Sequence, residues 1–372
     1  MDNEQIKQLY EAQHNFLGYP CNMAYDYKEL YPYFFFHFNN IGDPSDIDSM
    51  YRVNTKDIEC NVLSFFSDIW NFNEETWGYI TANGTEGNLQ AFYVARKLYP
   101  NGVAYTSSET HYSIKKICNI LNIKLEIVNC TETGEIDYKH FEECLERNKE
   151  FSAIINCNFG TTMLGAIDNP HKLYKILCKY NKENDYYMHA DSALMGVVLP
   201  FLDKDLFYKK YFHSISISGH KFLGVPFPCG IFMMEKRLIN ECSHEHINVI
   251  NSKDCTISGS RNGHSALFMD YIIKKKGRVG FQNDIEKCLE NSEYLIKRMG
   301  QGAWRNHNSL TIVFDIPDEA IVKKWQLACS HPYAHAIVLP HVNRHKIDRF
   351  VIDIKNQKKY IHNRKQCSTF VR

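Results

Sequence analysis

The chain has no excess of charge of either sign: its 372 residues carry 43 Lys and Arg against 43 Asp and Glu. That balance argues against a dedicated nucleic-acid surface, and no basic stripe interleaved with aromatics is present. Long apolar runs are missing as well; none approaches the ~18 residues needed to span a bilayer. Met1–Tyr10 lacks the basic start and apolar centre of an export signal. The 13 cysteines include no CxxC pair and no Cys/His cluster of zinc type, so no metal is expected. Their odd number fits a reducing compartment, and a cytoplasmic location without nucleic-acid or membrane partners is expected. Core-forming material, in contrast, is plentiful. With 44% hydrophobic and 13% aromatic residues, the chain can build about two packed domains at ~150 residues each.

Residues 1–60 read as a helix followed by an aromatic stretch punctuated by Gly18-Tyr19-Pro20 and Gly42-Asp43-Pro44. Thr55–Asp68 has helical spacing of Ile58, Val62, Leu63 and Phe66. From about 76 to 235 short apolar segments alternate with helical ones. The expected strands are Trp77–Thr81, Val103–Thr106, Leu125–Val128, Ala153–Cys157, Tyr187–Ala190, Ser214–Ser218 and Gly230–Met234. Helices are expected between most of them, at Glu86–Leu98, Tyr112–Leu121, Tyr138–Arg147 and His171–Tyr180. This alternation predicts an α/β domain over 61–265, with a mostly parallel seven-stranded sheet covered by helices on both faces. A smaller α+β domain is expected over 266–355. It would have helices at Ile285–Met299, Glu319–Cys329 and Lys346–Lys355, and strands at Leu310–Phe314 and His335–Leu339. The basic stretch 356–372 is expected to be a frayed tail.

Four short motifs carry chemistry. Lys221, in Ser218-Gly219-His220-Lys221, directly follows a strand, where a partly desolvated amine could attack an aldehyde. Asp191, in His189-Ala190-Asp191, ends an apolar strand and could pair with a pyridine nitrogen. His111, in Thr110-His111-Tyr112-Ser113, could stack on a flat ring. The turn Asn83-Gly84-Thr85-Glu86-Gly87-Asn88 lies between strand and helix, where backbone amides favour a phosphate. Each has an ordinary alternative: a surface lysine, a capping aspartate, a satisfied histidine, a capped helix start. Their order in one βαβ domain, each at the end of a strand, is what joins them.

In that order the motifs resemble the group II pyridoxal-phosphate decarboxylases of the aminotransferase-like fold-type I class. The closest likeness is to the compact branch of plant serine decarboxylases and bacterial histidine decarboxylases. It runs from about Gly18 to Leu339 and includes Asn39–Asp43, Trp77–Thr81, Gly134–Asp137, Gly160-Thr161-Thr162 and Gly259–His264. The resemblance implies that Lys221 holds pyridoxal 5'-phosphate as a Schiff base, Asp191 binds its ring nitrogen and His111 stacks over the ring. Gly84, Thr85, Ser218 and His220 would surround the phosphate, and Thr161 or Thr162 would lie near the phenolic edge. It also implies a homodimer with active sites at the subunit boundary, where Gly259 and Ser260 would serve the partner's cofactor. Asn39, Asn40 and Asp43 would lie near the amino-acid substrate, or form only an Asx-capped turn. The implied reaction is loss of carbon dioxide from Cα and release of the amine.

One segment departs from the family pattern. Relatives return the Cα proton from a tyrosine on a loop after the lysine, whereas this chain has Asn248 or Val249 in that place. Neither is an acid. His244 or His246 would substitute; otherwise oxygen would divert the reaction to an aldehyde, as in related aldehyde synthases. For the substrate, Asn39–Pro44, Gly277–Leu289 and Trp325–Cys329 look like the plant serine enzymes, and Ala303–Asn306 like the bacterial histidine enzymes. L-Serine to ethanolamine is therefore expected first and L-histidine to histamine second. Two other readings are an aminotransferase, with Arg305 on the substrate carboxylate, and a non-catalytic dimeric paralogue.

Overall fold

The computed structural model describes residues 2–24, 26–46, 50–72, 76–202, 211–241 and 246–368, with side chains as far as Asn356. The chain forms two compact units, one of residues 25–162 and 166–282, the other of residues 1–24, 163–165 and 283–372.

Seven strands build the sheet of the larger unit: β1 (Thr76–Thr81), β2 (Val103–Ser107), β3 (Lys124–Val128), β4 (Ala153–Asn158), β5 (Tyr186–Asp191), β6 (Ser214–Ser218) and β7 (Gly230–Glu235). Their order is β1-β7-β6-β5-β4-β2-β3. β7 runs antiparallel to both neighbours and the other pairings are parallel. The fold is α/β, with the mixed seven-stranded sheet of the fold-type I class. Strands β2, β4, β5 and β6 are buried at every position. Helices on the faces leave no room for polar alternation, hence the nearly continuous apolar runs. The helix Gly84–Leu98 contributes Ala91, Phe92, Val94 and Ala95 to a core shared with Tyr79, Ile154 and Phe232. Helices here commonly stop at asparagine: Asn71, Asn122 and Asn181 follow helix ends with positive φ, a conformation that asparagine tolerates better than most residues.

The larger unit also contains the helix Lys56–Ile69 and a small hairpin, β8 (His246–Ile247) paired with β9 (Ser252–Lys253). One long helix, Gly263–Met299, is broken at Gly277, whose φ of 57° and ψ of −176° suit glycine. In the smaller unit β10 (Thr311–Asp315), β12 (Tyr333–Ile337) and β11 (Ala328–Ser330) form an antiparallel sheet in that order.

Two expectations need correction. The helix expected over Glu319–Cys329 ends at Trp325, because Gln326 takes the left-handed conformation and the chain turns into β11. The last helix, expected to stop near Lys355, runs over Arg344–Ser368; the segment contains neither Gly nor Pro to end it. Among the described residues no helix is long and apolar enough to cross a membrane.

Candidate active site

Strands β1, β2, β4, β5 and β6 run in one direction, so their carboxyl ends share one edge of the sheet. Short connections there present Gly84 after β1, His111 after β2, Thr161 after β4, Asp191 at the end of β5, and Lys221 after β6. Lys221 is half-buried, and its amide donates to the Ser218 carbonyl (3.4 Å). Asp191 is buried, its Oδ2 accepting from Asn88 Nδ2 (2.9 Å). His111 feels both: burial holds its pKa below the usual imidazole value, the Asp191 carboxylate raises it, and the Lys221 and Lys116 ammonium groups lower it. The Ser113 amide donates to His111 Nδ1 (3.3 Å), which fixes that nitrogen as an acceptor and places the proton on Nε2. An amine, a carboxylate and a neutral imidazole are thus gathered within electrostatic reach of one another.

The phosphate turn lies beside them. Asn83 caps the helix Gly84–Leu98 by accepting from the Glu86 amide (3.0 Å), while the Gly84 and Thr85 amides belong to the open helix end. A Cβ on Gly84 would come within 2.7 Å of Ser218 Oγ, and one on Gly87 within 2.8 Å of Ser216 Oγ. The close approach of this turn to β6 therefore requires glycine at both positions. His220 is half-buried, and its Nδ1 lies 2.9 Å from the Cys229 carbonyl, to which it donates. Thr161 is buried and its hydroxyl accepts from the Ala166 amide (2.9 Å), whereas Thr162 is exposed.

The segment expected to contact substrate divides. Asn40 is buried, and its amide is spent inside the protein: Nδ2 donates to Glu59 (2.8 Å) and Oδ1 accepts from the Thr55 amide (2.8 Å). Asn40 thus ties the segment to the helix Lys56–Ile69 and to Thr55 before it. Asn39 clamps a second loop, donating to Ser260 Oγ (3.2 Å) and accepting from the Arg261 amide (3.1 Å). Asp43 anchors the hairpin base, accepting from the Cys255 amide (2.8 Å). Gly259 and Ser260 are exposed, and nothing approaches within 4 Å of a Cβ built on Gly259. His246 lies exposed on β8, and Val249 is 84% exposed at the hairpin turn. Ser243, His244 and Glu245 lie outside the described residues. Arg305, the arginine an aminotransferase would use, is occupied by Glu293 (3.0 and 2.5 Å) and by the Asn306 and Ser309 carbonyls.

Comparison with known proteins decides the family. The model of the pyridoxal-dependent decarboxylase conserved domain matches residues 66–313. The chain belongs to this decarboxylase family. Serine decarboxylase 1 of Oryza sativa subsp. japonica is 40% identical over 359 residues, covering 95% of this chain and 74% of the rice protein. A histidine decarboxylase of Vibrio anguillarum is 41% identical over 352 residues, covering 92% and 91%. Among solved structures, L-methionine decarboxylase from Streptomyces sp. 590 superimposes with a TM-score of 0.84 at 22% identity, over 95% of each chain. The decarboxylase is a carboxy-lyase acting on an amino acid, and its cofactor is pyridoxal phosphate.

The residues present fit that cofactor. The open helix start at Gly84 and Thr85 suits a phosphate, and the buried carboxylate of Asp191 suits a protonated ring nitrogen. Asn88, Glu59 and the histidine of His189-Ala190-Asp191 carried no role in the sequence reading of this decarboxylase. The one available signal for Asn88 was a polar residue on the helix face that otherwise carries Ala91, Phe92 and Ala95.

Proposed function

We propose that the decarboxylase converts L-serine to ethanolamine. The reading rests on one observation above all: Lys221, Asp191 and His111 meet at the sheet edge that carries the phosphate turn. Bound pyridoxal phosphate supplies the electron sink for the pair left at Cα when carbon dioxide departs. Lys221 would hold the cofactor covalently and release it to the substrate amine. Asp191 would keep a proton on the ring nitrogen, His111 would fix the plane of the ring, and the Gly84, Thr85, Ser218 and His220 groups would hold the phosphate, with Thr161 near the phenolic edge. Similarity of Asn39–Pro44, Gly277–Leu289 and Trp325–Cys329 to the plant serine enzymes favours serine, while Ala303–Asn306 keeps histidine as the second substrate. The occupied guanidinium of Arg305 speaks against transamination.

Among residues 246–253, His246 carries the one imidazole, so it is the proposed donor of the Cα proton. The second reading, oxidative release of an aldehyde, draws on Val249 at the hairpin turn. Product analysis on cofactor-loaded protein with L-serine or L-histidine separates these. The expected result is carbon dioxide and amine in equal amounts without peroxide, from serine in preference. His246→Asn should slow amine formation by about 10²-fold, within the range of a positioned acid. Aldehyde with peroxide from the unaltered protein would establish the second reading. No carbon dioxide from either substrate would sink the first.

The decarboxylase is further proposed to act as a cytoplasmic homodimer. A single chain exposes Tyr31, Phe34, Phe35 and Phe36, with Phe35 90% exposed and the Phe34 ring stacked on His264 (5.5 Å, 18°). A run of aromatics on this scale fits a subunit interface. Sedimentation of the cofactor-loaded protein should show two chains; a single-chain species at micromolar concentration would refute the dimer.

A further inference from the structure

Asp191 does not stand alone beneath the site. Its Oδ2 accepts from Asn88 Nδ2 (2.9 Å). Asn88 Oδ1 lies 2.9 Å from His189 Nε2, His189 Nδ1 lies 2.8 Å from Ser214 Oγ, and the Tyr187 hydroxyl donates to Ser214 Oγ (2.8 Å). Asn88, Tyr187, His189 and Ser214 are all at most 2% exposed. The hydrogens of this chain can be assigned from chemistry alone. A carboxylate only accepts, so Asn88 turns its amide nitrogen to Asp191 and its oxygen to His189. His189 must then donate from Nε2, which leaves a lone pair on Nδ1 for the Ser214 hydroxyl. Burial depresses the pKa of His189 to about 4, so the ring stays neutral and singly protonated at pH 7. The phenyl rings of Phe92 and Phe232 flank it at 6.5 and 6.3 Å and keep water out.

Every donor in this series points the same way, from Tyr187 through Ser214, His189 and Asn88 to Asp191. Aligned hydrogen bonds in a dry setting polarise one another and strengthen towards the charged end. We propose that His189 is a positioning residue for Asp191: acting through Asn88, it fixes which carboxylate oxygen faces the site and holds that oxygen opposite the cofactor's ring nitrogen. Oδ2 is the oxygen taken up by Asn88, so Oδ1 is the one available to the ring. The other titratable groups acting on this corner are His111 and Lys221. The relay rests on the assignment of Asp191 to the ring nitrogen.

The test is nitrogen-15 resonance of the holoenzyme loaded with ring-labelled pyridoxal phosphate, read alongside the cofactor dissociation constant. His189→Leu cuts the chain at its centre. It should move the resonance towards that of an unprotonated pyridine and weaken cofactor binding about tenfold, the factor for one charge-assisted hydrogen bond. Ser214→Ala, a smaller change, should move both in the same direction by less. His189→Gln keeps an N–H for Asn88 and should stay near the unaltered protein; a merely space-filling role would not be rescued this way. A folded His189→Leu or Ser214→Ala protein with unchanged resonance and affinity overturns the relay. If Asp191→Asn also leaves the resonance unmoved, the assignment of Asp191 falls and takes the relay with it. If Asp191→Asn moves it and the relay variants do not, the relay alone is wrong.

Discussion

Lys221→Ala should remove decarboxylation, by about 10³-fold or more, while leaving the fold in place. The side chain stands three residues beyond β6, half-buried, and its charge is felt at His111. Stability should change little, as at other partly exposed positions. The loss is chemical. An amine at this point would serve both to hold the cofactor covalently and to exchange protons with its surroundings, and one positioned acid–base group alone supplies 10²–10⁴-fold. Alanine offers neither. The check is borohydride reduction of the loaded protein followed by peptide mass mapping. In the unaltered decarboxylase the cofactor mass should be found on the peptide containing Lys221, and in the variant it should be missing. Cofactor mass on a different lysine, or substantial turnover by the variant, would remove Lys221 from its role.

The largest expected effect on stability lies below the site rather than in it. Glu59 is fully buried; it pairs with the buried Arg261 and accepts from the Ile80 amide (2.7 Å) and from Asn40 (2.8 Å). Arg261 also donates to the Gly42 carbonyl (2.9 Å) and lies over the Tyr79 ring. Glu59→Ala would strand a guanidinium, a backbone amide and a carboxamide in a dry interior. Breaking a buried pair from one side costs about 3–5 kcal/mol, because the remaining charge keeps its desolvation penalty without its partner. A urea titration of the variant should show a loss on that scale. The double change Glu59→Leu with Arg261→Met should lose less than the single one, since no unpaired charge remains. A single variant that unfolds within about 1 kcal/mol of the unaltered protein would show that the pair contributes little.

The sheet was legible in the sequence because its interior strands are buried on both faces, and runs such as Ala153–Cys157 have no helical periodicity to compete. The direction of β7 was less visible, although the short Gly219–Cys229 link leaves too little chain for a helical crossover and fits an antiparallel return. The end of the helix at Trp325 escaped because Gln326 carries no mark of a left-handed residue, unlike the asparagines that follow other helices. In the site, residues that end strands announced themselves by position. The bond of Asn40 was hidden for the opposite reason: its polar block says nothing of Glu59, nineteen positions on, which takes up its amide. The chain from Tyr187 to Asn88 was hidden likewise, since its members are distant in sequence and meet only across β5, β6 and the helix Gly84–Leu98.

The antiparallel pairing of β1 with β7 also bears on how the molecule is made. Synthesis proceeds from the amino terminus, and β1 emerges before every other strand of its sheet. Among the described residues its one strand partner is the last of the seven to appear. Until β7 is translated, β1 has no strand partner to set its register, while β2 and β3 can already pair. The pairing of β1 is therefore completed at the end of the process, when the most distant contact in the sheet forms, the kind of step that slows folding. Until then the apolar strand waiting for its mate is the part most in need of protection from neighbouring chains.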